Sequence, residues 1–224
     1  MNRSVLPLFA VIFFAPTAWA ADAPFEKEIR AFKQADAVMP PPKGAVLFLG
    51  SSTVRFWTTL STDFPGVSTI NRGFGGSQIA DSTRYAERIV IPYQPRQIVF
   101  YAGDNDLAAG KSPEQVFRDF QQFVEKVRSA LPDTRISFIS IKPSLARWKL
   151  IDRIRRANRL IQDFAKGKEE VEFIDVFTIT LGPDGYPRAD LFRPDGLHLN
   201  RKGYELWATV VAPRLLPPAR PPNR

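Results

Sequence analysis

The fold is set by the stretch Ala45-Val-Leu-Phe-Leu-Gly-Ser-Ser-Thr53, because a continuous apolar run ends in glycine and then in hydroxyl side chains. An unbroken apolar run is typical of a strand covered on both faces, as in a parallel sheet. The switch at Gly50 predicts that the strand at 45–49 ends there and that a helix begins at the serines. A strand followed directly by a helix is the repeating unit of α/β folds.

The same alternation continues along the chain. Further strands are predicted at 67–71 (the weakest), 97–101, 136–141 and 171–176. Helices are predicted at 25–37, 112–131, 151–164 and 204–215. The helix at 112–131 has the strongest signals, with Ser112 as its cap, Pro113 in its first turn and Gln115 as a capping-box partner. We therefore predict an α/β fold, a three-layer α/β/α sandwich around a five-stranded parallel sheet.

The two ends of the chain differ in composition from the middle. Residues 1–20 combine Arg3, an apolar stretch and the small-residue end Ala18-Trp-Ala20, which predicts a signal peptide cleaved after Ala20. We expect a periplasmic or secreted protein with a single domain at 21–216 and a Pro/Arg-rich tail at 217–224. The apolar stretch is about half the ~20 residues of a membrane span, so we expect no stable membrane insertion.

Composition excludes several kinds of site. The chain has no cysteine and one histidine, His198, which excludes disulfides, thiolate chemistry and zinc sites built on several imidazoles. We therefore expect neither a metal nor another cofactor. The formal net charge is +8, but the basic residues are scattered among acidic ones, so we expect no nucleic-acid partner.

Four polar segments lie where predicted strands end or the last helix begins. They are Gly50-Ser-Ser-Thr53, Asn71-Arg-Gly-Phe-Gly-Gly-Ser77, Gly103-Asp-Asn-Asp106 and Asp195-Gly-Leu-His198. Parallel sheets bind ligands at the carboxyl ends of their strands. Taken singly, each segment also has an ordinary interpretation as a helix cap, a loop, an Asn/Asp turn or a surface histidine. Val54 and Gln78 replace the glycines that a hydrolase elbow and a dinucleotide loop would require.

In this order the four segments resemble the four sequence blocks of the SGNH (GDSL-type) hydrolases, a family of bacterial lipases and esterases. The resemblance spans nearly all of the chain after residue 20 and implies the flavodoxin-like SGNH hydrolase fold. One position departs from the family pattern, since Ser51 replaces the usual aspartate of the first block. Ser52, at the nucleophile position, is intact.

The resemblance implies an esterase with a Ser-His-Asp triad that acts through an acyl-enzyme intermediate. Ser52 is the implied nucleophile, His198 the general base and then acid, and Asp195 the group that orients the imidazole. The implied oxyanion hole consists of the backbone N–H groups of Ser52 and Gly76 and the side-chain amide of Asn105. Because a serine hydroxyl needs an adjacent base, the single imidazole of the chain agrees with this assignment.

The identity of the substrate is left open. Trp57, Lys142, Arg147 and Trp148 are candidates to line the mouth of the site, with burial of either tryptophan as the alternative. We expect a small-molecule ester with a short acyl chain. A carbohydrate O-acetyl esterase or acyltransferase and a lysophospholipase are alternatives on the same fold, and a cationic periplasmic binding module is the non-enzymatic alternative. The sequence does not indicate an oligomeric state.

Overall fold

The computed structural model describes residues 23–217. The predicted signal peptide at 1–20 lies outside the described residues, as does all of the predicted tail except Pro217.

Five strands form one parallel sheet in the order β2-β1-β3-β4-β5. They are β1 (Val46–Gly50), β2 (Thr69–Gly73), β3 (Gln97–Tyr101), β4 (Arg135–Ile139) and β5 (Val171–Ile174). The central position of β1 explains its continuous apolar run, because every residue of this strand is buried. The predicted fold class is confirmed.

Helices precede, connect and follow the strands. They are α1 (Glu26–Val38), α2 (Ser52–Arg55), α3 (Leu60–Asp63), α4 (Ile79–Ile89), α5 (Asp104–Ala108), α6 (Pro113–Ala130), α7 (Ile151–Ala165), α8 (Phe177–Thr180) and α9 (Arg201–Val211). Short 3₁₀ turns occupy Ile91–Tyr93, Trp148–Leu150, Ala189–Leu191 and Ala212–Arg214. Within residues 23–217, no helix combines the length and the apolar character needed to cross a membrane.

The two faces of the sheet carry separate cores. Alternate strand residues such as Leu47 and Phe100 pack against α1, α4, α6 and α7. The intervening residues, such as Phe48 and Tyr101, pack against α2, α3 and α9. Helices therefore cover both faces, which gives the three layers that the alternating pattern predicts.

Strand β2 lies two residues further along the chain than predicted, because it includes a buried arginine. Arg72 forms an ion pair with Asp36 of α1, donates to the hydroxyl of Tyr93 at 3.1 Å and lies over the Phe32 ring. A buried charge is tolerated when it is paired and hydrogen-bonded. The partners come from distant parts of the chain, so hydropathy alone missed this part of the strand.

Helix boundaries follow local caps. The hydroxyl of Ser112 accepts a hydrogen bond from the Gln115 N–H at 3.1 Å, as the cap prediction requires. The Gln115 side chain, however, donates to Asp119 and does not complete a capping box. The last helix begins at Arg201, three residues earlier than predicted, because Asn200 caps it by accepting from the Gly203 N–H at 3.1 Å.

Gly50 is required where β1 ends. Its φ of +143° is a conformation that favours glycine, and a Cβ at this position would lie 1.8 Å from the carbonyl oxygen of Tyr101 in β3. A side chain here would push β1 and β3 apart just before Ser52.

We therefore expect Gly50→Ala to lower the free energy of unfolding by more than about 3 kcal/mol, from backbone strain and displacement of β3 together. Gly44→Ala is the matched control, because Gly44 also has a positive φ (+70°) but a Cβ added there would have no atom within 4 Å. It should cost only about 1 kcal/mol of backbone strain. Urea denaturation measures both losses, and equal losses would contradict the argument.

Candidate active site

The predicted site residues lie at the carboxyl edge of the sheet. Ser52 opens α2 directly after β1, Gly76 follows β2, and Asn105 lies in the first turn of α5 after β3. Asp195 and His198 lie on the loop that leads into α9. This loop brings the imidazole to a serine that is 146 positions away in the chain.

Ser52, His198 and Asp195 form one continuous hydrogen-bonded chain. The Oγ of Ser52 lies 3.0 Å from Nε2 of His198, and Nδ1 of His198 lies 2.7 Å from Oδ2 of Asp195. The other carboxylate oxygen, Oδ1, accepts from the backbone N–H groups of Leu197 and His198, each at 2.9 Å. The three bonds to Asp195 fix the carboxylate relative to the ring.

The charge of Asp195 determines where the imidazole carries its proton. Partial burial raises the pKa of this carboxyl, but hydrogen bonds from the His198 ring and from the backbone N–H groups of His198 and Leu197 outweigh it and lower the pKa to about 2. An ionised carboxylate only accepts, so Nδ1 of the neutral ring carries the proton. Nε2 is then free to accept from the Ser52 hydroxyl.

The loop around His198 is braced by its neighbours. The backbone N–H of Arg193 donates to the carbonyl of His198 at 2.8 Å, and the Phe56 ring packs edge-on against the imidazole with centroids 5.0 Å apart. The guanidinium of Arg193 lies 4.5 Å from the centre of the Phe56 ring. The side chains of His198 and Asp195 nevertheless remain 22% and 46% exposed. The site is held firmly but is open to solvent.

The turn that carries Ser52 is braced from β2. Asn71 donates to the carbonyl of Val54 at 2.8 Å and accepts from the N–H of Gly73 at 2.9 Å. Ser51, at the position where the family pattern has aspartate, is fully buried, and its hydroxyl forms no hydrogen bond within the described part of the chain. Its backbone N–H donates to the carbonyl oxygen of Tyr101 at 3.1 Å. The Ser51 side chain therefore contributes no polar contact to the site.

The groups predicted to bind an oxyanion follow the ends of β1, β2 and β3. Gly76 has a φ of +81°, and among residues 23–217 neither its N–H nor that of Ser52 donates a hydrogen bond. The side chain of Asn105 donates through Nδ2 to the carbonyl of Ser77 at 3.0 Å. Its Oδ1 accepts from Nη2 of Arg147 at 2.8 Å.

A buried ionic cluster lies next to these loops. Lys142, only 1% exposed, reaches Oδ2 of Asp104 at 3.3 Å, and Nη1 of Arg147 reaches the same oxygen at 3.1 Å. Lys142 also donates to the hydroxyls of Tyr101 at 3.0 Å and Thr53 at 3.3 Å. Lys142 was a predicted mouth residue, and the structure instead buries it beneath the site.

The two aspartates that flank Asn105 have different environments. Burial raises the pKa of Asp104, but the charges of Lys142 and Arg147 outweigh it and lower that pKa. Burial dominates at Asp106 and raises its pKa, despite the nearby Lys111. Asp106 accepts from the N–H of Ile79, the first residue of α4. Both carboxylates support the loops, a role that the turn-like sequence did not reveal.

The two predicted mouth tryptophans lie in different surroundings. Trp57 is buried and its ring N–H donates to the carboxylate of Asp63 at 2.7 Å. It packs against aromatic residues in the core that faces α2, α3 and α9. Trp148 is partly exposed, and its ring lies 4.7 Å from that of Tyr186.

A cavity of about 600 Å³ lies between α1 and the edge strand β2. Trp57 and Arg55 are among its lining residues, and Ser52 and His198 are not. Within residues 23–217, no group of three or more His, Asp or Glu side chains is arranged to hold a metal ion.

We expect Asp104→Asn to lower the free energy of unfolding by roughly 3–5 kcal/mol, because it leaves a buried lysine without a counter-charge. Asp163→Asn is the matched control, since Asp163 pairs with Lys166 on the surface and should contribute less than about 1 kcal/mol. Urea denaturation near neutral pH compares the two. A small, equal loss in both variants would contradict the burial argument.

Comparison with known proteins supports both the fold and the family. No curated protein matches the chain. A GDSL-like lipase from Bacteroides thetaiotaomicron matches with a TM-score of 0.70 and 19% identity, over 83% of this chain and 96% of that one. A lipase/acylhydrolase from Enterococcus faecalis matches with a TM-score of 0.65 and 17% identity, over 79% and 99%. A carbohydrate esterase family 3 protein from Talaromyces cellulolyticus matches with a TM-score of 0.59 and 20% identity, over 76% and 95%.

These solved structures confirm the predicted fold, and a sequence-family model identifies the group. The model of the GDSL-like lipase/acylhydrolase family matches residues 47–206, a range that includes most of β1, the Ser52 turn and the Asp195–His198 loop. The family that the four polar segments predicted is thereby confirmed: the chain belongs to the GDSL-like lipase/acylhydrolase family of hydrolases.

Proposed function

We propose that this protein is a serine esterase that hydrolyses carboxylic esters of short acyl chains through an acyl-enzyme intermediate. The observation that carries the proposal is the hydrogen-bonded chain from Ser52 through His198 to Asp195, with contacts of 3.0 and 2.7 Å. A serine hydroxyl becomes an effective nucleophile when an adjacent base takes its proton.

In the first half-reaction, Oγ of Ser52 attacks the carbonyl carbon of the ester and its proton passes to Nε2 of His198. Asp195, already ionised, stabilises the imidazolium that forms and keeps the ring in the required orientation. Collapse of the tetrahedral intermediate breaks the bond to the alcohol oxygen, which takes the proton from Nε2. The acyl group remains on Ser52.

The negative charge of each tetrahedral intermediate develops on the former carbonyl oxygen. In this mechanism the backbone N–H groups of Ser52 and Gly76 and the second Nδ2 hydrogen of Asn105 donate to that oxygen. Donors that are fixed before the reaction stabilise the transition state without reorganising. The N–H groups of Ser52 and Gly76, which donate to no acceptor within residues 23–217, support this role.

In the second half-reaction, His198 takes a proton from water as the water oxygen attacks the acyl carbon. The bond to Oγ breaks, Oγ recovers the proton from Nε2, and the carboxylic acid leaves. The products are one acid and one alcohol, and no step needs a metal.

The exposure of the site supports a substrate whose alcohol portion is not enclosed by the protein. The partly exposed His198 and Asp195 leave the reacting atoms accessible from solvent, so the alcohol portion can extend away from the protein. The same openness favours a second candidate, an O-acetyl group on a carbohydrate; the Talaromyces protein of similar fold is described as a carbohydrate esterase. Release of acetate from acetylated xylan, compared with p-nitrophenyl acetate, separates the two candidates. Transfer to an added sugar would identify an acyltransferase.

The nucleophile is tested with p-nitrophenyl acetate. We expect the wild-type protein to hydrolyse it and Ser52→Ala to lower kcat by at least about 10³-fold, because Ser52 supplies the only hydroxyl that is hydrogen-bonded to His198 within residues 23–217. A fluorophosphonate should abolish turnover and add its mass to the peptide that contains Ser52, whereas EDTA should have no effect. Ser129→Ala, on the exposed face of α6, is the control. An active Ser52→Ala variant would falsify the proposal.

The dependence of the rate on pH tests the roles of His198 and Asp195. Because the pKa of Asp195 is about 2, this carboxylate stays ionised in any practical assay. Asp195 should therefore contribute no ionisation to the acidic limb of kcat/KM, and that limb should fit a single proton. Asp195→Asn should lower kcat by about 10³–10⁴-fold, because the ring loses its orienting acceptor.

Asp190→Asn is the control for this substitution, because Asp190 is exposed in the same segment before α9 and its carboxylate pairs with Arg188 and Lys202. An acidic limb of kcat/KM that fits only with two protons would contradict the assigned roles. An Asp195→Asn variant with unchanged kcat would also contradict them.

A further inference from the structure

We propose that Arg147 is a positioning residue that acts through Asn105: its guanidinium holds and polarises the amide that donates to the oxyanion. This inference rests on the proposed function and adds a residue that the Ser-His-Asp mechanism does not include. Arg147 follows β4, whereas the oxyanion donors follow β1, β2 and β3.

The contacts of Asn105 leave its side chain a single orientation. A guanidinium only donates, so Nη2 of Arg147 at 2.8 Å identifies the amide oxygen Oδ1. A carbonyl only accepts, so the Ser77 carbonyl at 3.0 Å takes one of the two Nδ2 hydrogens. A flipped amide would set its NH₂ group against the guanidinium and its oxygen against the carbonyl. The second Nδ2 hydrogen is the one left to donate to substrate.

Arg147 is itself held in place by buried charge. Its Nη1 lies 3.1 Å from Oδ2 of Asp104, and Lys142 contacts the same oxygen from within the core. The side chains of Asp104, Lys142 and Arg147 are 7%, 1% and 18% exposed. The guanidinium is therefore held by an ion pair with a buried carboxylate through Nη1 and by a hydrogen bond to Asn105 through Nη2. Within residues 23–217 Nη1 forms no hydrogen bond, so its contact with Asp104 is one of charge.

The cluster also has a net charge beside the oxyanion donors. Asp104 is ionised, because the two cations hold its pKa low, so one negative charge faces the positive charges of Lys142 and Arg147. The net charge of these three groups is +1. Fields from buried charges are screened less than fields from exposed ones. An excess positive charge here stabilises a developing oxyanion more than it stabilises a neutral ester.

The hydrogen bond from Arg147 adds a second effect. Donation to Oδ1 draws electron density from the amide and strengthens its N–H as a donor, as in other hydrogen-bond chains. Both effects act mainly in the transition state, so they lower the barrier to chemistry and leave substrate binding nearly unchanged. The expected signature is a change in kcat at nearly constant KM.

A direct substrate-binding role for Arg147 makes a different prediction. In that role the guanidinium would contact the ester itself, so its removal would raise KM by the same factor whether or not Asn105 is present. The contacts of both Nη atoms with protein oxygens favour the positioning role.

A double-mutant cycle distinguishes these roles, with kcat and KM measured for p-nitrophenyl acetate. Asn105→Ala should lower kcat by about 10²–10³-fold. Arg147→Met should lower it by about 10-fold or more, in line with the loss of a charge-assisted hydrogen bond. Once Asn105 is absent, Arg147→Met should have a much smaller effect on kcat, because only the field of the charge and not the hydrogen bond to the amide is then lost. Arg159→Met, at an exposed arginine on α7, is the matched control and should retain wild-type kcat.

Chemical rescue provides a readout that a purely structural role would not change. Free guanidinium at millimolar concentration should raise kcat of Arg147→Ala by a clearly larger factor than it raises kcat of the variant that combines Arg147→Ala with Asn105→Ala. Thermal unfolding is followed for every variant. If Arg147→Met does not fold, Arg147→Lys keeps the buried charge but loses the planar fork, and it should show a lower kcat at an unchanged KM.

The outcomes are separable. Multiplicative losses in the double variant, a change confined to KM, or rescue by the same factor with and without Asn105 would each overturn the positioning role. Wild-type protein without ester turnover, or equal turnover in Ser52→Ala, would overturn the proposed function itself. The expected combination is an Asn105-dependent loss of kcat with rescue by guanidinium.

Discussion

The pairing of β1 with β2 on one side and β3 on the other holds the site together. Gly50 lies in register with both Gly73 and Tyr101, so three strand ends meet at one level of the sheet. The absence of a side chain at Gly50 allows the Tyr101 carbonyl to approach and to accept from the N–H of Ser51. Backbone contacts between the strands therefore fix the position of Ser52, the first residue of α2, relative to the sheet.

Burial and exposure divide the polar groups of the site into two sets. Asp195 and His198 are partly exposed and depend on short local hydrogen bonds for their geometry. Asp104 and Lys142 are buried and depend on each other for charge compensation. Taking charges out of water is costly unless they are paired, so the buried set is confined to arrangements that keep this pair intact. Arg147 extends the buried set toward the reacting groups, because it contacts Asp104 on one side and Asn105 on the other.

Several features were predictable because their physical causes are local in sequence. The apolar run before Gly50 predicted a buried strand, and Ser112 before Pro113 predicted a helix start. Asp195 and His198, three residues apart, were predicted to meet, and the structure places their side chains 2.7 Å apart. Strand β2 was misplaced by two residues because the burial of Arg72 depends on Asp36 and Tyr93, which lie far away in the chain.

Local sequence is enough to specify the alternation of strands and helices, the four polar segments and their order, because hydrophobic periodicity and turn chemistry act over a few residues. Only the folded structure determines that Lys142 is buried, that Trp57 lies in the core and that Arg147 contacts Asn105. Those outcomes depend on which strand ends are neighbours and on how charges that follow β3 and β4 compensate one another. Pairing across the sheet is a long-range property, and no local pattern encodes the distance between two side chains on different strands.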